Sequence, residues 1–118
     1  MNRVIEISIK DNKYTVSFPT VGQIIDIETK RSILSRGQYG NMIESKMQMS
    51  WNVLEIIDVM AYFQVLVPKL FDDLNVKSLE EIDAIDFAEI VEVYREQFLP
   101  WYNGWAKKFN EVMHKASK

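Results

Sequence analysis

Cysteine is absent from the 118 residues, and histidine occurs once, at His114. Disulfides, thiol nucleophiles and cysteine-based zinc sites are thereby excluded, and a cysteine-free chain fits a reducing compartment. A catalytic triad or a histidine-based metal site needs partners arranged around the imidazole. His114 instead adjoins Lys115 in a lysine-bearing turn, where positive charge suits the C-terminal end of a helix. Glycine (4) and proline (3) are also scarce. There is no linker, repeat or low-complexity tract, so residues 1–118 are expected to form a single domain. Long apolar runs are missing too. The most apolar stretch, Val53 to Val67, contains Glu55, Asp58 and Gln64 and falls short of the ~20 residues a bilayer span needs. Glu6, Ser8 and Lys10 break any signal-peptide core near the start. Basic residues are outnumbered, 14 against 17 acids, for a net charge of −3. That argues against a nucleic-acid binder with a broad cationic surface. The expected partners therefore include neither nucleic acid nor membrane.

What is present is an ordinary globular composition, 47% hydrophobic and 26% charged. Ile5, Ile7 and Ile9 alternate with Glu6, Ser8 and Lys10, and Tyr14, Val16 and Phe18 alternate with Thr15 and Ser17. The period of two predicts two strands, with Asp11-Asn12-Lys13 as the turn and Asn12 in a left-handed conformation. Pro19 closes this hairpin (1–19). Thr20 and Gln23 form a capping box that opens a helix from Val21 to about Leu34, with Val21, Ile24, Ile25 and Glu28 on one face. Ser35 to Gly40 reads as a loop, and Asn41 as the cap of a short helix through Met47. Ser50 would cap the apolar helix Trp51 to Val67, broken at Pro68. Lys69 to Leu74 suggests a further turn. Ser78 with Glu81 and Asp86 with Glu89 read as two more capping boxes. Phe87, Ile90, Val91, Tyr94 and Phe98 follow helical spacing up to Pro100, which should end or kink that helix. Trp101, Trp105, Phe109, Val112 and Met113 then resume the spacing through His114. The expected fold class is α+β and mostly helical: an N-terminal β-hairpin packed on a bundle of about four to five helices spanning 20–118.

No constellation carries chemistry. The acids between Asp72 and Glu96 fail the calcium-loop pattern, because a loop begun at Asp73 has Ser78 at its sixth position and Ala84 at its twelfth. Several of these acids suit helix starts. Gly37-Gln38-Tyr39-Gly40 follows a helix and lacks the Lys-Ser/Thr ending of a phosphate loop. No catalytic residue, metal ligand or cofactor site is expected, and the chain reads as a non-enzyme. Aromatic and Met residues exceed what so small a core comfortably holds. Met42, Met47, Met49 and Met60 cluster mid-chain, and such residues make adaptable apolar surfaces. Phe98, Trp101, Tyr102 and Trp105 are the candidate protein-binding residues, expected to form an exposed apolar patch beside an acidic helix. Lys107, Lys108, Lys115 and Lys118 could pair with that acidic surface on a neighbouring copy.

Three segments carry a family resemblance: Tyr14 through Glu28 with its Phe18-Pro19-Thr20-Val21-Gly22 helix start, Leu34 through Gly40, and Asp86 through Trp101. Together they resemble the tail assembly chaperones of long-tailed bacteriophages. The resemblance implies a protein acting in the host bacterial cytoplasm during virion assembly. Its partner would be the tape-measure protein, whose apolar segments it would shield while tail-tube subunits are recruited. Many copies along one client would favour weak self-association through avidity. The alternative is a permanent structural subunit of the particle, in the neck, the tail or beside the portal.

Overall fold

The computed structural model describes residues 3–45 and 47–116, with side chains as far as His114. Its order is β1 (Val4–Ile9), β2 (Asn12–Ser17), α1 (Val21–Leu34), α2 (Tyr39–Glu44), α3 (Gln48–Leu66), α4 (Lys69–Leu74), a 3₁₀ turn (Leu79–Glu81), α5 (Ala84–Val93), a π turn (Tyr94–Phe98) and α6 (Leu99–Ala116). The fold is α+β and mostly helical, an N-terminal hairpin laid on a helical core.

The two strands pair antiparallel, with Ile5 opposite Val16, Ile7 opposite Tyr14 and Ile9 opposite Asn12. Ile7, Ile9, Tyr14 and Val16 are buried, so one face rests on helices and the other meets solvent. The turn differs from the sequence expectation. Lys10 and Asp11, with φ of 48° and 69°, make it, and Asn12 already belongs to β2. A two-residue loop with both φ values positive matches the twist of the strands. A three-residue loop at Asp11-Asn12-Lys13 would instead set Lys10 against Tyr14 and push apolar side chains to opposite faces. Side chains then fasten the hairpin to the helices. The Ser8 N–H donates to Gln97 Oε1 at 3.0 Å, Tyr14 Oη donates to Asp73 at 2.7 Å, and Lys10 pairs with Asp86 at 3.2 Å.

The capping box of α1 is present: Gln23 N–H donates to Thr20 Oγ1, and Thr20 N–H donates to Gln23 Oε1. Its inward face is Ile27, flanked by half-buried Ile24, Arg31 and Leu34; Val21 and Ile25 point to solvent. The expected face was one strip off because the half-buried, ion-paired Arg31 belongs to the inner side. The helix ends in a Schellman motif, with Gly37 N–H donating to Ser32 O and Arg36 N–H to Ile33 O. Gly40, expected in a loop, lies inside α2, which starts before Asn41 and ends at Glu44 rather than Met47. α3 begins at Gln48, so Ser50 is a helical residue and not its cap. Leu54, Ile57 and Val59 through Phe63 are buried on several sides of α3, which makes it the central helix. Each fully buried side chain of this kind contributes about 1.5–3 kcal/mol. Val67 breaks the helix before Pro68 as expected, with ψ of 58°.

Ser78 accepts from Glu80 N–H, and Glu81 accepts from Lys77 N–H, so the expected box there is a looser 3₁₀ version. The box expected at Asp86 and Glu89 is not used. Asp83 caps α5, accepting from the N–H groups of Ile85 and Asp86. Pro100 neither ends nor interrupts the run from Ala84 to Ala116. The π turn precedes it, and Leu99 N–H reaches back to Tyr94 O. Proline in an α-helix lacks a donor and presses on the carbonyl four residues earlier. One wider turn just before Pro100 relieves both demands.

Candidate protein-binding surface

The four residues singled out from sequence do not form an exposed patch. Phe98 is wholly buried, and Trp101, Tyr102 and Trp105 are half-buried. Phe18, at the end of the hairpin, explains why. Its ring stacks on Tyr102 with centroids 5.1 Å apart and lies 6.2 Å from Trp101 and 6.5 Å from Trp105. Phe98 in turn has Tyr62, Phe63, Tyr94 and Tyr102 within 5.5 Å. These aromatics clamp the hairpin onto α3 and α6. Sequence spacing placed them on one helical face but carried no sign of Phe18 folding over that face. Lys118 of the basic end lies outside the described residues.

Exposed apolar side chains gather elsewhere, where α2 passes into α3. Ile43, Met47, Met49 and Trp51 are all exposed there. Met60, grouped with these methionines in sequence, is buried, and Met42 is half-buried. A groove of about 560 Å³ opens beside them, walled by Tyr39, Ile43, Trp51, Leu54, Tyr94 and Leu99. The π turn supplies Tyr94 and Arg95 to one wall, and such turns recur at functional sites. Arg95 Nε donates to Glu55 Oε2 at 2.8 Å across the rim, and Gln48, Asn52 and Asp58 also line the groove, so its walls mix apolar and polar side chains.

Its floor is held by a polar network. Asp58 accepts from Tyr39 Oη at 2.6 Å and from Arg31 Nε at 3.0 Å. Arg31 also donates to Tyr62 Oη at 2.6 Å and pairs with Glu28. Burial pushes the Asp58 carboxyl above its ordinary value, against the pull of Tyr39 and Arg31. Burial works against the Arg31 charge as well, yet Tyr62, Asp58, Tyr39 and Glu28 together hold its guanidinium above the ordinary value. Burial likewise raises the phenols of Tyr39 and Tyr94. Through Arg31, Tyr39, Asp58 and Tyr62 the network ties the start of α2 to α1 and α3.

The acids from Asp72 to Glu96 are spread over α4, the 3₁₀ turn, the Asp83 cap, α5 and the π turn. Among the described residues no group of three Asp, Glu or His side chains is placed to hold a metal ion. No helix among them is long and apolar enough to cross a membrane. Compared with known protein families, characterised proteins and solved structures, the chain finds no match. The surface thus combines exposed Met, Ile and Trp side chains along residues 43–51 with a groove of mixed apolar and polar lining.

Proposed function

We propose that this chain is a non-enzymatic bacteriophage protein, a tail assembly chaperone that holds apolar helical segments of the tape-measure protein until the tail tube encloses them. The observation that carries this reading is the groove beside α2 and α3, lined by the exposed Ile43 and Trp51, with Met47 and Met49 exposed in the same stretch of chain. Methionine and tryptophan accept apolar partners of varied shape, which a chaperone of a long, irregular client requires. The rigid network beneath, from Arg31 to Tyr39, keeps the groove open without the client. The segments Tyr14 to Glu28 and Asp86 to Trp101, which resemble the chaperone family, give the reading its biological setting.

Mass spectrometry of purified mature particles tests this. A chaperone that leaves with assembly is absent or trace. Recovery at a stoichiometry matching tail subunits would replace the chaperone with a permanent structural component.

A further inference from the structure

The face of α6 that packs Tyr102 and Trp105 against Phe18 continues through Phe109, Val112 and Met113 at helical spacing, and there the body no longer covers it. All three are exposed, Val112 at 60%, and every described side chain from Lys107 to His114 is exposed. Lys108 flanks the stripe, its Nζ 5.7 Å from the Trp105 ring. Residues 99–118 carry four lysines against the single acid Glu111, whereas the rest of the chain holds sixteen acids against ten bases. The helix is thus an apolar ridge with a basic edge, attached to an acidic body.

A matching hollow lies on that body. Ile56, Met60, Leu79, Ile82, Ala84 and Phe87 line a cleft of about 300 Å³ between α3 and the start of α5. Ile56 is 39% exposed. Glu80 lines the cleft, and the exposed Glu81 and Asp83 adjoin its lining residues in the chain, so residues 76–86 carry four acids against Lys77 alone.

We infer that the cleft receives the α6 stripe of a second copy of this chain. Val112 and Met113 enter among Ile56, Met60 and Phe87, while Lys107 and Lys108 face Glu80 and Glu81. Ridge meets hollow and basic edge meets acidic rim, so both shape and sign select this pairing. Ridge and hollow are different surfaces, and each copy donates one helix and receives another: reciprocal exchange closes a two-fold dimer, and non-reciprocal exchange gives a larger ring or an open filament. One helical turn and a half seated in a shallow cleft is a small interface, so association is weak and rises with concentration. This inference is independent of the identity of any client.

Sedimentation velocity of the full chain, from micromolar to millimolar concentration, tests it. The mean mass should grow with concentration and fall back when salt is raised, because the rim charges are exposed. Val112→Glu and Ile56→Glu should each weaken association at least tenfold. A 1:1 mixture of the two should form a heterodimer and nothing larger, since one intact ridge and one intact cleft remain between them. If circular dichroism shows Ile56→Glu misfolded, Glu80→Lys/Glu81→Lys serves as the cleft variant. A wild-type monomer at every concentration would overturn the inference. So would unchanged self-association of Val112→Glu, or a mixture that stays monomeric. Association that survives in the cleft variant alone would assign the stripe to α6–α6 pairing and equally overturn it.

Discussion

Truncating Phe98 should be the most damaging single change to the chain's stability. The side chain is fully buried, with the Tyr62, Phe63 and Tyr94 rings each at 5.5 Å, Tyr102 at 5.3 Å and Trp101 at 5.9 Å. Phe→Ala in a core costs about 3–5 kcal/mol from lost transfer and the cavity left behind. Five aromatic neighbours cannot all close on that cavity, because they are tied to the hairpin, α3 and the π turn, which places Phe98→Ala in the upper half of the range. Domains of this size have about 5–15 kcal/mol in all, so the variant should sit close to unfolding. Phe109→Ala, on the uncovered part of α6, is the control and should stay within about 0.5 kcal/mol of the parent. Urea unfolding followed by far-UV circular dichroism reads both, with m unchanged if only the native state is affected. A loss below about 1 kcal/mol for Phe98→Ala would refute its place in the core and revive it as a surface residue.

Burial, then the bond to Asp73, pushes the Tyr14 phenol up to about 12. The folded state therefore keeps a proton that the unfolded chain releases near pH 10, and stability falls as pH rises from about 10 to 12. Tyr14→Phe should make that alkaline decline shallower by one proton; an unchanged slope would count against the buried phenol. Arg31→Met strands the Asp58 carboxylate and should cost about 2–3 kcal/mol in urea unfolding, less than a fully buried pair because both side chains keep some solvent. Adding Asp58→Leu should recover part of that loss, and strict additivity would argue against the direct contact. Asp83→Ala removes the α5 cap and should cost about 1 kcal/mol, whereas Asp86→Ala should not remove a cap; the reverse order would restore the capping box at Asp86.

Local rules carried the hairpin strands, the Thr20–Gln23 box and the break at Pro68, because each depends on residues within one turn of each other. The failures lie where a distant partner decides. The hairpin turn moved to Lys10 and Asp11 because the helical core selects the register that gathers Ile7, Ile9, Tyr14 and Val16 on one face. The α1 face rotated because Arg31 has Asp58 and Tyr62 of α3 to pair with, neither of which helical spacing within α1 could single out. Helix continuity through Pro100 depends on a π turn, which has no residue signature to read. The aromatic run from Phe98 to Trp105 is legible as a unit, but Phe98 is covered by Tyr62 and Phe63 of α3 and the later rings by Phe18 of the hairpin end, all distant in the chain. The exposed group at Ile43, Met47, Met49 and Trp51 is half visible in the clustering of methionines, but Met60 of that cluster is buried on the central helix, which spacing in the sequence does not reveal.

Co-expression with a phage tape-measure protein, the client of the proposed function, tests the central claim most directly. A protein that holds apolar helices in the groove beside α2 and α3 should keep that client soluble and copurify with it. Ile43→Glu/Trp51→Glu, altering two exposed residues, should abolish both effects while the variant remains folded. A client that is no more soluble with the chain than without it, or one rescued equally by the double variant, would contradict the account.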